Sequence, residues 1–558
     1  MTFVEWISAV INGINDVVWG WPMIILILGT GIYLTVRTKV LQVRKFGTSW
    51  GETIIPTVKS MGKKPMLDKK ENSISPFEAF ATAISGTVGT GNIVGVTSAI
   101  MAGGPGAVVW MWISAFFGMV TNYAENVLGM YFRKKDHKGE FCGGPAYYLS
   151  EGMGRIGKGK VNSVLKTVGK ILAVMAAVFC TFAAIGMSGV QASKISDVAT
   201  SQIPLDPMWT AIIVGLIVAV VLALIILGGI KSIGRVASIL VPFMSMLFIV
   251  MALVIIFTNI TAIGGVFGLI FGNIFSFNAA IGGFSGYMFA TIIQKGLARG
   301  IFSNEAGLGS SVIAHSASAA REPVKQGFWG IFEVFFDTFI ICTLTALVVL
   351  ISVPAEALYA TNATDTVLSM QAFAAFIPNV SAIGTVIYSI VMPLFAFTTI
   401  LAWSYYGEKS IDYLFVKAGA KGRKIATTVF KVLYVLMVIV FVVLNELQKS
   451  NPELPNDIIW GISDTFNGLM ALPNLIGLLF MGGLVARITK NYLDRKKGKD
   501  VVPMLSAYPE QNEQFIVDLA EEQKADAALT GKADEQVTAE ETPAEETAVT
   551  AEETKSEE

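Results

Sequence analysis

Long uninterrupted apolar runs dominate the chain, separated by short polar stretches rather than alternating with them residue by residue. Crossing a hydrocarbon layer about 30 Å thick takes about 20 such residues in helical form. Eleven runs qualify: 17–36, 76–102, 105–131, 165–191, 209–229, 236–257, 279–316, 327–351, 383–406, 425–444 and 460–485. They predict an all-α integral membrane protein with eleven transmembrane helices. Two runs are spoiled inside. The second contains SGTVGTGNIVGV, residues 85–96, whose glycines and threonines are poor helix formers. The seventh is too long for one simple helix and carries Gly296, Gly300, Gly307 and Gly309.

Irregular backbone at membrane depth survives only where it is buried in protein or lines a cavity. Unwinding frees carbonyl oxygens for a cation and exposes the amides of the next half-helix to a carboxylate. The second and seventh runs lie five spans apart, and an odd offset reverses direction. The pattern therefore predicts a five-plus-five inverted-repeat core with two discontinuous helices, preceded by one extra N-terminal helix. Paired interruptions of this kind point to the binding site of a secondary transporter. The other reading of either glycine cluster is close helix packing through small residues. The expected divisions are 1–75 (outer segment, extra helix and basic loop), 76–257 and 258–485 (the two repeats), and 486–558 (a basic stretch and a disordered acidic tail).

Composition supports the membrane reading. The chain has 558 residues, 53% hydrophobic and 15% charged, where soluble domains carry about 25% charged residues. Eleven alternating spans gather 34 of the 41 Lys and Arg on one side and leave only Lys194 and Lys449 in the opposite loops. This bias predicts the N-terminus outside and the C-terminus in the cytoplasm of a cell membrane. No cleavable signal peptide is expected, since the first apolar run lacks a basic lead-in. Beyond about Asp500 the chain turns acidic and low in complexity, which predicts disorder. Three separated cysteines suggest no disulfide framework, and two histidines are too few for a histidine-rich metal site. No nucleotide loop or nucleophile–histidine arrangement argues for an enzyme, and no repeated filter loop argues for a channel. No cofactor and no nucleic-acid partner are expected; membrane lipid is.

Candidate site residues follow from the two interruptions. Thr87 and Thr90 offer hydroxyls, Asn92 a neutral amide, and Gly89 and Gly91 close backbone approach. In the second interruption Gly296 and Gly300 are the corresponding positions, with Phe302 placed either to contact a small side chain or to pack in the core. Arg299 and Glu305 are costly inside a membrane; an unwound turn would let them meet, or either pairs with another segment, in a structural or gating ion pair rather than in direct substrate contact. GGPAYYLSEGMG, residues 143–154, is expected along the membrane interface with Tyr147 and Tyr148 at headgroup depth.

The motifs GTGNIVGV, GGPGAVVWMWISAFFG (103–118) and ARGIFSNEAGLGSS resemble the alanine or glycine:cation symporter family, the sodium:alanine symporters, over roughly residues 1–495. The resemblance implies the fold of the amino acid–polyamine–cation superfamily and uptake of small neutral amino acids driven by sodium or sometimes protons. Some members are similar to glutamine or serine carriers. It further implies that the Ser85 and Val88 carbonyls face a sodium ion together with the Thr398 and Thr399 hydroxyls. The amides of 89–91 would receive the substrate carboxylate, Gln191 would reach the amino-acid head group, and Trp403 would close the pocket. Threonines bonded back to their own helix, an interfacial glutamine and a packing tryptophan are the alternatives at these positions.

Overall fold

The computed structural model describes residues 3–60, 73–155, 162–275, 285–358, 364–376, 381–451 and 458–529. Two helices, α1 (Phe3–Val18) and α2 (Trp21–Arg37), precede the core. The first broken helix comprises α3 (Pro76–Thr87) and α4 (Val94–Gly103), bent by 56° at the break. Then come α5 (Ala107–Tyr131), α6 (Ser163–Gln202), α7 (Pro207–Ile226) and α8 (Gly229–Thr258). The second broken helix comprises α9 (Ser285–Asn304) and α10 (Ser311–His315). After it come α11 (Pro323–Ser352), α12 (Ser381–Leu414), α13 (Gly419–Ser450), α14 (Ile458–Arg495) and α15 (Pro509–Leu529).

Each apolar run predicted from sequence, where described, falls on one of these helices or broken pairs; residues 279–284 of the seventh lie outside the described residues. Among the described residues nine helices are long and apolar enough to cross a bilayer, ten when α3 and α4 count as one bent span. With Gln294, Lys295 and Arg299 along it, α9 is too polar to qualify by composition. The chain is an all-α integral membrane protein with two discontinuous helices.

Close helix crossings position the breaks. In the centre α6 packs against both α12 and α14, while α5 packs against α9 and α11. A Cβ on Gly186 of α6 would lie 2.8 Å from Cα of Ser463 on α14, so a small residue there sets how near the backbones come. Between Pro323 and Ser352, α11 widens into a π segment, Phe335–Cys342, a geometry common at functional sites.

Two expectations change. Gln191 lies inside α6, which continues to Gln202, rather than at the end of a span. The C-terminal region stays ordered well past Asp500. Leu505 and Phe515 are buried against Phe141, and Arg133 stacks on both Phe141 and Phe515, 4.0 and 5.2 Å from the ring centroids. These apolar residues anchor α15; the strongly acidic stretch from residue 530 lies outside the described residues.

Candidate functional site at two helix breaks

Ser75 and Glu78 start α3 with a reciprocal cap: Ser75 N donates to Glu78 Oε2 (2.8 Å) and Glu78 N to Ser75 Oγ (3.1 Å). The helix stops after Thr87, and only a short 3₁₀ turn, Thr90–Asn92, forms before α4. Asn92 closes that turn, its Oδ1 accepting from Gly89 N at 2.9 Å. From α6, Gln191 Oε1 accepts from Thr90 N at 3.2 Å. From α12, Thr399 Oγ1 lies 3.0 Å from both the Ser85 and the Phe395 carbonyl oxygens. A Cβ on Gly89 would collide with Thr399 Oγ1, so glycine is required there for space. Thr90 Oγ1 is fully buried with no hydrogen-bond partner among the described residues, an orphaned hydroxyl beside freed backbone.

The second break falls in the Gly307–Gly309 part of the predicted glycine-rich stretch and not at Gly296 and Gly300. Helix α9 runs unbroken through Gly296 and Gly300 to Asn304. The interruption covers 305–310, where Glu305, Gly307 and Gly309 take φ of +53°, +95° and +77°. Gly296 and Gly300 serve packing: their missing side chains admit α5, with Ala107 O 2.5 Å and Met111 Cα 3.1 Å from the respective Cβ positions. Of the two arrangements expected for Arg299 and Glu305, pairing with each other does not form: α9 stays helical from Arg299 to Asn304, and Glu305 turns out of it at φ +53°. Arg299 instead faces Asp464 (Nη1–Oδ1 4.0 Å) and stacks over Phe302 and Trp460. Glu305 accepts from Trp403 Nε1 at 3.0 Å and from Ser310 Oγ. Trp403 is thus fully buried and bonded to the second break.

The first break meets the last turn of α9, just before the second. A Cβ on Gly91 would lie 3.7 Å from Phe302 Cδ1 and 3.9 Å from Ser303 Cα. Asp337, in the π segment of α11, ties them: Oδ1 accepts from Asn92 Nδ2 (2.5 Å), and Oδ2 accepts from Ser303 Oγ and Thr338 Oγ1 (2.8 Å each). Gly307 is held from two sides, its N–H donating to Glu125 Oε1 (3.1 Å) and its carbonyl accepting from Asn474 Nδ2 (2.9 Å). Behind α10, His315 accepts from Gln326 Nε2 at Nδ1 (2.7 Å) and donates from Nε2 to Glu333 (2.8 Å). Tyr148, expected at the interface, is fully buried and donates to Asn474.

Ser85, Gly89, Thr90, Gly91, Asn92, Gln191, Phe302 and Thr399 therefore converge. Val88 is buried in the same segment. Thr87 bonds back to Ile84 O (3.2 Å). Thr398 faces away, toward Phe395 O (3.0 Å) and Met244 Sδ (3.5 Å). Asp337, Glu125 and Glu333 were not singled out from sequence. The signal was present, since each is an acidic residue inside an apolar run and such residues mark function by default.

Both approaches to the breaks are charged. On one side a cavity of about 130 Å³, bounded by α1, α9 and α14, presents Asp16, Lys295, Arg299 and Asp464 next to Phe302. On the other, Lys409 of α12 binds Asp136 Oδ2 (3.0 Å) and Glu140 Oε2 (2.7 Å) in the hairpin that follows α5. Burial pushes the Asp136 carboxyl up, but the Lys409 ammonium and the amides of Lys138 and Glu140 outweigh it, holding the group below its ordinary value.

The chain is similar to known proteins over most of its length. The sodium:alanine symporter family profile matches residues 4–505. The sodium/alanine symporter AgcS of Methanococcus maripaludis is 39% identical over 88% of this chain and 98% of its own. The amino-acid carrier protein AlsT of Bacillus subtilis is 34% identical over 89% and 94%. Among solved structures, a Na⁺-coupled sialic acid symporter in a substrate-bound outward-open state aligns with 90% of this chain and 96% of its own at 12% identity, with a TM-score of 0.49. By profile and by identity, the chain belongs to the sodium:alanine symporter family, whose members are transporters and not enzymes.

Proposed function

We propose that the protein is a sodium-coupled symporter that brings small neutral amino acids, alanine or glycine, into the cell by alternating access. The observation that carries this reading is the packing of the 88–93 break against the end of α9, just before the 305–310 break, with Thr399 Oγ1 set 3.0 Å from the Ser85 carbonyl oxygen. Hydroxyl and carbonyl oxygens suit a hard cation, so sodium takes Ser85 O and Thr399 Oγ1, with the Val88 carbonyl as a further donor. The substrate carboxylate takes the place of Gln191 Oε1 on the Thr90 amide, and the released Gln191 turns to the amino-acid head group. The Thr90 hydroxyl supplies one more polar contact, and Phe302 limits side-chain size. Fixed dipoles hold the zwitterion, which favours neutral substrates over charged ones.

The bias of basic residues supports an N-terminus outside and a C-terminus in the cytoplasm, with residues 76–257 and 258–485 read as inverted repeats. Lys295, Arg299, Asp464 and Asp16 then line the outer approach, and the Lys409 clamp closes the inner one. Four buried carboxylates near the breaks (Glu125, Glu305, Glu333 and Asp337) favour proton coupling as the second reading. Uptake of a panel of labelled amino acids, glutamine and serine included, into reconstituted vesicles under sodium, lithium or proton gradients tests both. Alanine or glycine uptake should follow the sodium gradient. Uptake indifferent to every gradient contradicts coupled transport.

A further inference from the structure

Three arginines converge on a cavity far from the two breaks. It has a volume of about 610 Å³ and lies between the end of α2, the middle of α14 and the segment leading into α15. Arg37, Arg155 and Arg487 line it, and no carboxylate does among the described residues. Two of the guanidinium groups are held in place. Arg37 donates to Tyr33 OH (3.3 Å) and passes over Gly483, where a Cβ would sit 3.2 Å from Nη2. Arg155 donates to the Ala507 carbonyl (2.9 Å) and stacks on Tyr508, 5.4 Å from the ring centroid. It also pairs with Glu151 (Nη2–Oε2 3.7 Å) outside the lining, which leaves Arg37 and Arg487 as the unshared charges of the lining among the described residues. Planar, fixed guanidinium groups match phosphate oxygens.

The rest of the wall is apolar. Phe480, Leu484 and Arg487 share one face of α14, at the i, i+4, i+7 spacing. Phe480 is 48% exposed and lies about 10 Å along the helix axis from Arg487. A cationic cleft grading over that distance into exposed aromatic and aliphatic surface has the profile of a phospholipid, charged at the head and apolar below. Free phosphate would use the arginines and leave the apolar wall without a role.

We propose that this cavity binds an anionic phospholipid, its phosphate headgroup held by Arg37, Arg155 and Arg487 and an acyl chain lying along Phe480 and Leu484. Basic pockets between transmembrane helices recognise such headgroups. The inference rests on the chain being membrane-embedded and is independent of sodium coupling.

Native mass spectrometry of the full-length protein, titrated with phosphatidylglycerol or phosphatidylcholine, tests it. The wild type should retain phosphatidylglycerol in preference. Arg37→Gln/Arg487→Gln leaves the α15 anchor Arg155 in place and should weaken phosphatidylglycerol about thirtyfold without changing phosphatidylcholine. Lys substitutions at the same positions should restore part of the affinity. Removing two charges elsewhere, Lys421→Gln/Lys424→Gln, should change nothing. If the double glutamine variant does not fold, Arg487→Gln alone, an exposed position, carries the same expectation in weaker form. The proposal is overturned if phosphatidylglycerol binding survives these changes, if both double variants lose it equally, or if glycerol 3-phosphate competes as well as the intact lipid.

Discussion

Thr399 Oγ1 donates to the Ser85 carbonyl at 3.0 Å, joining an unbroken helix to the last turn of a broken one. Its neighbour Thr398 bonds to its own helix and faces Met244 instead. Only one of the two adjacent hydroxyls is therefore placed for a cation. Thr399→Ala should raise the sodium concentration for half-maximal uptake about tenfold, as expected for a charge-assisted contact of about 1.5 kcal/mol, and Thr398→Ala should leave it near the wild-type value. Sodium titrations of alanine uptake check both. Equal effects at the two positions would remove this distinction.

Asp337 brings together Asn92 of the first break and Ser303 in the last turn of α9, just before the second. Asp337→Ala strands three buried donors, each costing about 1–3 kcal/mol when unsatisfied. The melting temperature should fall sharply and uptake should be lost. Asp337→Asn keeps an acceptor and the shape, and should fall between the two in a thermal unfolding series.

Gly296 and Gly300 offer the opposite test, because they admit α5 rather than line the site. Alanine at either position overpacks the crossing at about 1–3 kcal/mol. Stability should drop while the sodium and alanine concentrations for half-maximal uptake stay unchanged. A changed sodium requirement with intact stability would return these glycines to the site.

The clamp of Lys409 on Asp136 and Glu140 makes a pH prediction. The Asp136 carboxyl lies below its ordinary value, so the pair is complete above that value and is lost only as pH falls through the depressed one. The difference in melting temperature between wild type and Lys409→Gln should hold steady from about pH 8 to pH 5 and narrow below the usual carboxylate range near about 3.9. A gap that closes near neutral pH would contradict the pairing.

How much of this is legible in the residues depends on the position. The first break shows plainly because Gly89, Thr90 and Gly91 crowd together against helix propensity. The second is expected along Gly296, Gly300, Gly307 and Gly309, with the first two placed in the site. Glycines four apart also describe a packing stripe, and nothing in one chain tells the two uses apart. What separates them is conformation, left-handed at Gly307 and Gly309 and helical at Gly296 and Gly300, together with the partners Glu125 and Asn474. Those partners lie 182 and 167 residues from Gly307, so no local pattern announces them. Asp337, Glu125 and Glu333 could have been found, because a carboxylate within an apolar run carries its own warning. The docking of α15 turned on two side chains, Leu505 and Phe515, in a region whose average composition points to disorder.

The central claim is that one site, built from both breaks, holds amino acid and sodium together. Equilibrium binding on the purified protein tests it most directly, with alanine titrated at low and saturating sodium and sodium titrated with and without alanine. Sodium should tighten alanine by the same factor by which alanine tightens sodium, and Thr399→Ala should shrink both factors equally. Alanine binding that ignores sodium would contradict the account.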